Sequence, residues 1–389
     1  ERQVVALAQG LAARGWRVTL VALSGTAGEF GEMLHTAGVT FLSLEMRKGL
    51  ADPRGWLRLN AWIRRERPDL LHAHLPHAVW LARWCRLAAP VRVVMDTVHT
   101  AGTGTRGRKL GYRWSSWLTN KTTAVSHGAA QAWLEARMIK DEHLEILPNG
   151  IDTETWKPDP AARLALRTKL GLRDEFLWLA AGRLEPVKNF SLLLRVMSGL
   201  PPHARLVIAG GGLQAEVLWS QARTLGIEGR IRFPGYQSNL LRWMQAADGF
   251  ALSSLWEGLP MSLLEAGACG LPCVSTAVAG ATEIVLDQQT GFLVPFADEE
   301  ALGGAMLRLM EMSPVSRQAM GHAARQSIAE RYGIGSVLNR WDRLYTTLLA
   351  DHPTPSRFAT RTLRKAGSPL MTSDSEAASS PNAASVDAS

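Results

Sequence analysis

The sequence predicts an α/β chain built as two doubly wound parallel sheets in series. Short runs of β-branched and apolar residues alternate with stretches of helical periodicity along most of the 389 residues. The alternation pauses at a Gly- and Pro-bearing connection, LPNGIDTETWKP (147–158), and then restarts. No repeat of the 20 to 50 residue kind is present. Nearly half of the residues are apolar, enough for two cores of ordinary size.

The elements follow in order. Val4, Leu7, Ala8 and Leu11 recur at helical spacing and Gly15 supplies a C-cap, so the chain opens in or beside a helix. A segment upstream of Glu1, with the first strand of the doubly wound sheet, is therefore expected. Strands are predicted at RVTLVAL (17–23), VTFLSL (39–44), DLLHAH (69–74), VRVVMDTVH (91–99), TTAVS (122–126) and LEILPN (144–149), separated by helices. After the connection come FLWLAAG (176–182), ARLVIAG (204–210), RIRFPG (230–235), GFALSS (249–254), PCVST (272–276) and GFLVP (291–295). Helices fill roughly 299–349. This gives a first domain at 1–152, a second at 153–350 with trailing helices, and a Ser-, Ala-, Thr- and Pro-rich tail at 351–389 that reads as disordered.

Composition narrows the setting. Cys85, Cys269 and Cys273 lie in apolar surroundings without metal-ligand spacing, which reads as buried thiols in a reducing, cytoplasmic compartment. No apolar run reaches the roughly 18 residues of a membrane span. Residues 1–150 hold 20 of the 43 Lys and Arg but 12 of the 35 Asp and Glu, so the net charge of +8 resides there. The remainder is balanced.

Ligands of open α/β sheets bind beyond the carboxyl ends of the strands, and two such sheets in series make a cleft between them. At those ends, GRLEPVKNF puts Arg183 and Lys188 in one loop before a helix, where side-chain charge, free N–H groups and the helix dipole all suit a diphosphate. AGGG ends the next strand with Gly210, Gly211 and Gly212, which allow close backbone approach. It lacks the spacing of a dinucleotide fingerprint and the lysine of a P-loop, so NAD and ATP chemistry have little support. In LWEGLPMSLLEAGACGLPCVST, Glu257 sits in the loop after a strand and Pro260 suits the first turn of a helix Met261 to Ala268. Glu265 lies inside that helix among apolar residues, where a carboxylate needs partners. It could be a core residue paired to a backbone group or an arginine. Two acceptors for hydroxyls beside two cations for phosphates describe a nucleotide-sugar site.

Taken together, GRLEPVKN, AGGG, FPGY, SSLWEGLPMSLLEAGACGLPCV, EIVLDQQTGFLVP, LPNGID and AVSHGA resemble the family 4 glycosyltransferases, retaining enzymes of the GT-B fold, over about residues 1–350. The resemblance implies that Glu265 binds the ribose hydroxyls of a nucleotide-diphosphate sugar, of the UDP class, and that Glu257 contacts the transferred sugar. It implies diphosphate contacts from Arg183 and Lys188, base contacts near Tyr236, and further donor contacts from Gly182, Gly210, Gly211, Gly212, Gly258, Leu259, Leu263 and Leu264. His99 matches a family histidine facing the sugar, so His99, Arg183, Lys188 and Glu257 form the implied catalytic set. His74, also at a strand end, stays undecided, whereas His72 reads as a packed core residue. Ser126 is either an N-cap or a ligand residue. The implied transfer is metal-independent, since no Asp-x-Asp pattern occurs, and needs no cofactor beyond the nucleotide sugar. The two glutamates are not a glycosidase pair, because that chemistry needs carboxylates flanking one scissile bond.

Acceptors of this family bind mainly to the first domain. There TGTRGRKLGYRWSSWL interleaves Arg108, Lys109 and Arg113 with Trp114 and Trp117, which suits an anionic membrane surface or a lipid-linked acceptor, or else an ordinary solvated helix. The expected acceptor is a lipid-linked or polysaccharide-precursor glycan. No nucleic-acid recognition motif is present. A nucleotide-sugar epimerase of similar build and a non-catalytic sugar-binding homologue remain as alternatives.

Overall fold

A computed structural model describes residues 2–47 and 52–353. The tail expected at 351–389 lies outside the described residues except for its first three, of which Asp351 ends a helix.

All twelve expected strands form, and every pairing is parallel. In the first half, β1 (Thr19–Ala22) pairs with β2 (Thr40–Ser43), and β3 (Leu70–His74), β4 (Val93–Val98), β5 (Lys121–Ala124) and β6 (Leu144–Ile146) pair in that order as a separate ladder. The second half contains β7 (Phe176–Ala181), β8 (Ala204–Ala209), β9 (Ile231–Arg232), β10 (Gly249–Leu252), β11 (Cys273–Thr276) and β12 (Gly291–Val294). Its order is β12-β11-β10-β7-β8-β9. The chain winds outward one way from β7 and then restarts on its other side at β10. The loops leaving β7 and β10 therefore lie at the switch point, where open α/β sheets bind their ligands.

Burial on both faces explains the composition of the strands. Every residue of β7 is buried: Phe176, Trp178 and Ala180 join one apolar cluster, while Leu177, Leu179 and Ala181 join the cluster on the opposite face. In the first half, Asp96 on β4 is buried and accepts both Arg83 Nη2 contacts at 3.0 and 3.1 Å, with Thr119 and Thr122 hydroxyls completing its shell. That pair ties the helix Pro76–Ala88 to the sheet, and the hydrogen bonds at the Asp96 carboxylate offset part of the cost of burying two charges, while the buried Arg83 Nε finds no partner among the described residues.

Chain order misplaces one element. The helix Ile334–Asp351, expected as a trailing part of the second domain, returns to the first sheet. Trp341, Leu344, Tyr345 and Leu348 pack with Val93 and Met95 of β4, and Arg92 donates to the carbonyls of Leu349 and His352. Its apolar stripe needs a partner face, and the first half supplies it. Among the described residues no helix is long and apolar enough to cross a membrane.

Candidate functional site

The β7 and β10 loops bring the two sequence motifs together at the switch point. Leaving β7, Gly182 and Arg183 lead into a short 3-10 turn, Pro186–Lys188, and Asn189 in the left-handed region (φ 49°) starts the helix Phe190–Gly199. Leaving β10, Ser253 Oγ donates to the Lys188 carbonyl at 2.8 Å and Leu255 N to the Val187 carbonyl at 2.8 Å. The two loops are thus laced by backbone and hydroxyl groups. Across that lacing the Lys188 ammonium pairs with Glu257 Oε1, both side chains only about one-sixth exposed, at 16% and 14%. Ser254 Oγ donates to the same carboxylate oxygen at 2.7 Å. Glu257 is therefore held by two donors, one of them cationic, at the mouth of the crevice.

Glu265 differs. It lies one turn into the helix Met261–Ala268, whose preceding Pro260 is the N-cap residue rather than part of the first turn. Among the described residues no hydrogen-bond donor reaches its carboxylate. Burial pushes this carboxyl up to about 7, with Arg2 pulling the other way. A carboxylate set in an apolar helix without donors is poised to accept hydroxyls from outside the chain.

The other expected residues divide. Arg183 is 77% exposed and pairs with Glu185 at 2.7 Å, so its guanidinium stands at the rim, apart from the Lys188–Glu257 pair. Tyr236 is exposed next to Gly235 (φ 73°), with Arg2 Nη2 donating to its hydroxyl at 3.5 Å. The glycine run is not one unit. A Cβ at Gly210 would overlap the Gly182 carbonyl oxygen, and one at Gly212 would crowd Leu184 backbone, while Gly211 faces open space. Gly210 and Gly212 thus permit the close approach of a neighbouring loop, a constraint that Gly211 does not carry. The side chains of Leu263 and Leu264 are fully buried in the core and that of Leu259 nearly so, so a donor contact from these residues would come from their backbone.

The first sheet closes the other wall. His99, just past β4, meets His74 at the end of β3, with His99 Nε2 and His74 Nδ1 at 2.9 Å. The parallel register that pairs His74 with Thr97 makes this meeting possible. Burial pushes His99 down to about 4 and His74 well below the usual imidazole range, so both are neutral and one ring donates to the other. His72 is a packed residue: Tyr345 Oη and Thr97 Oγ1 each lie 2.6 Å from its ring nitrogens. The two walls touch where Gly258 lies against the His99 carbonyl, a contact that only glycine permits. Trp256, beside Glu257, reaches Gly102 in the loop after β4.

In the basic segment the helix Arg106–Ser115 carries Trp114 at 75% exposure, and Trp117 follows at 68%. Leu110 is exposed beside them, as are Trp84 and Leu87 on the neighbouring helix. Arg113 is exposed and Lys109 partly so. Arg108 is not a free cation. Its guanidinium donates to the carbonyls of Gly102 and Thr103 at 2.9 and 3.2 Å and so braces the loop after β4.

Two parallel-sheet domains thus meet beside a switch point, with Lys188 and Glu257 paired there and Glu265 one turn into the next helix, which is where open α/β sheets bind their ligands. The family described as Glycosyltransferase Family 4 matches residues 1–155, and that described as Glycosyl transferases group 1 matches residues 163–327. A GDP-mannose-dependent alpha-(1-6)-phosphatidylinositol monomannoside mannosyltransferase from Mycolicibacterium smegmatis is 31% identical over 62% of this chain and 70% of that protein. A UDP-Gal:alpha-D-GlcNAc-diphosphoundecaprenol alpha-1,3-galactosyltransferase from Escherichia coli is 25% identical over 78% of this chain and 81% of its own. Among solved structures, Anabaena HepE in complex with UDP and glucose superimposes with a TM-score of 0.77 at 19% identity, over 89% of this chain and 95% of that one. The chain belongs to glycosyltransferase family 4.

Sequence reasoning missed two polar residues of this region. Ser254 lies within a quoted strand motif, and its role needed the β10 loop to turn back on Glu257. Glu283, inside EIVLDQQTGFLVP, accepts from backbone N–H groups of the first domain. Neither carries a signal in composition or periodicity.

Proposed function

We propose that this glycosyltransferase moves a hexosyl group from a UDP-sugar to a hydroxyl of a lipid-linked or polysaccharide-precursor glycan, with retention and without a metal ion. The observation that carries the reading is the contrast between the two glutamates at one sheet edge. Glu257 is already committed to Lys188 and Ser254, whereas Glu265 has acceptor capacity to spare. On this reading Glu265 takes the ribose hydroxyls and Glu257 the hydroxyls of the transferred sugar. Lys188 and Arg183 bind the diphosphate, and as the glycosidic bond breaks they stabilise charge gathering on the leaving group. The neutral His99, held by His74, offers the sugar a hydrogen bond from the first domain. Residues 153–333 are the donor domain, and residues 1–152, with the helix Ile334–Asp351 packed on their sheet, the acceptor domain.

The acceptor class rests on the helix Arg106–Ser115. Between residues 75 and 120 the only acid is the buried Asp96, so the segment that carries the exposed tryptophans and leucines presents cations and no exposed acid of its own. Such a face suits the anionic interface in which a lipid diphosphate is presented. The Escherichia coli relative is named for an undecaprenol-diphosphate acceptor, in agreement.

Nucleotide release from UDP-, GDP- and ADP-sugars, with and without a polyprenyl-diphosphate sugar acceptor, tests the proposal. Acceptor-dependent UDP release is the expected result. Release from a GDP- or ADP-sugar alone would overturn the donor assignment.

A further inference from the structure

Two motif segments stand outside the transfer chemistry, Ser126–Ala129 and the stretch around Glu283, and the fold joins them across the domains. The helix His127–Glu135 opens with backbone N–H groups that no earlier turn can accept. Ser126 Oγ accepts from Ala129 N at 3.0 Å, an ordinary N-cap. The other two donors go to the second domain: Glu283 Oε2 accepts from His127 N at 3.1 Å, and Oε1 from Gly128 N at 3.0 Å.

The backbone that carries Glu283 is well anchored. The Glu283 carbonyl accepts from Arg331 Nη2 at 2.6 Å and from Tyr332 Oη at 2.9 Å. The seam is tight as well. A Cβ at Gly128 would overlap the Ala279 side chain across the seam, and within the second domain one at Gly280 would overlap the Gly258 carbonyl. Once the helix is seated there, the Ser126 hydroxyl is free to use its proton elsewhere, and it donates to the Gly258 carbonyl. Gly258 directly follows Glu257.

We propose that Glu283 and Ser126 form an interdomain clasp that positions the Glu257 loop. Glu283 docks the first domain's helix by its N-terminus, and the docked Ser126 fixes the Gly258 carbonyl. Both are positioning residues, acting through Glu257. The clasp stands on its own geometry; only its consequence for transfer rests on the reading of Glu257 as a donor ligand.

Hydrogen exchange on the full chain separates the parts. Glu283→Ala should speed exchange at His127 and Gly128 at least tenfold, and should also speed it in residues 255–262, to which the Glu283 carboxylate makes no hydrogen bond. Ser126→Ala should loosen 255–262 while His127 and Gly128 stay slow. Glu283→Gln, which keeps the shape and one acceptor, should fall between and serves if the alanine variant does not fold. In the same variants UDP affinity by calorimetry should stay within twofold while turnover falls about tenfold. Unchanged exchange at His127 and Gly128 would refute the clasp. Loosening confined to 127–129, or a loss of UDP affinity matching the loss of turnover, would refute the positioning role. A parent chain that binds no UDP would remove the donor reading, and the exchange result would still decide the clasp.

Discussion

Glu265→Gln should abolish a proton release that accompanies nucleotide-sugar binding. Burial holds the free carboxyl at about 7 instead of its ordinary 4.5. Ribose hydroxyls donating to the ionised form would pull it back down, so binding below pH 7 must expel the proton. At pH 6 about 0.9 proton should leave per ligand bound, and at pH 8 about 0.1. Apparent affinity should fall by roughly tenfold per pH unit below 7, until the pKa of the complex is reached. UDP-glucose is a suitable probe, because its diphosphate is esterified at both ends and does not titrate in this range. Calorimetry in buffers of different ionisation enthalpy reads the proton directly. Stability supplies an independent check. The unfolded carboxyl ionises above about 4.5 but the folded one only above about 7. This group therefore costs nothing below the first value, opposes folding increasingly as pH rises to the second, and costs a constant amount beyond. Glu265→Gln should leave stability at pH 4 unchanged and raise it at pH 8 by about 2 to 3 kcal/mol, the lower figure allowing for partial solvent access. The same proton release in the glutamine variant as in the parent, or none in either, would refute the assignment of Glu265 to the ribose.

Lys188→Ala should reduce turnover more than it raises donor KM, and should also destabilise the chain by about 1 to 3 kcal/mol, because it strands the part-buried Glu257. Arg183→Ala should reduce turnover with a stability change within about 0.5 kcal/mol, since its side chain is mostly solvent-exposed. Loss of ground-state binding alone, with turnover intact at saturation, would contradict the leaving-group role of both. Gly210→Ala should lower stability by about 3 kcal/mol or more against the Gly182 carbonyl, whereas Gly211→Ala should be near neutral, as thermal melts would show. Equal effects would mean the glycine run acts as one ligand-facing unit. Arg113→Ser with Lys109→Ser should weaken flotation with anionic liposomes, as should raised salt, and Trp114→Ala should weaken it at any salt. Flotation indifferent to all three would remove the membrane reading.

What could be read from the sequence was whatever depends on local pattern. Short apolar and β-branched runs between stretches of helical periodicity locate all twelve strands, and Met261 to Ala268 reads as a helix from its apolar run behind Pro260. What could not be read depends on which strands lie side by side. His74 and His99 are 25 positions apart, and only the parallel register of β3 and β4 sets their rings against each other. The glycines of AGGG look equivalent in sequence, yet the loop after β7 crowds the first and third and leaves the second open. Arg108 resembled a surface cation by its neighbours, and the loop after β4 takes its donors instead.

The same dependence explains why the last helix was misplaced and why that matters for the site. Ile334–Asp351 follows the second domain in the chain but buries Trp341 and Tyr345 beside His72. Tyr345 Oη holds one ring nitrogen of His72, whose other nitrogen meets Thr97 Oγ1, which in turn meets Thr123 Oγ1 at 2.7 Å. His72 rests its ring against that of His74, which pairs with His99. A helix that enters from the second domain therefore buttresses the histidine wall of the first, on the side of the sheet away from the Glu283 seam. Each domain thus braces a wall built by the other: the helix from the second supports the histidines, and Ser126 from the first holds the loop that carries Glu257. The cleft geometry is a property of the two domains together, so side chains on either domain far from the crevice can alter it without weakening their own domain's core.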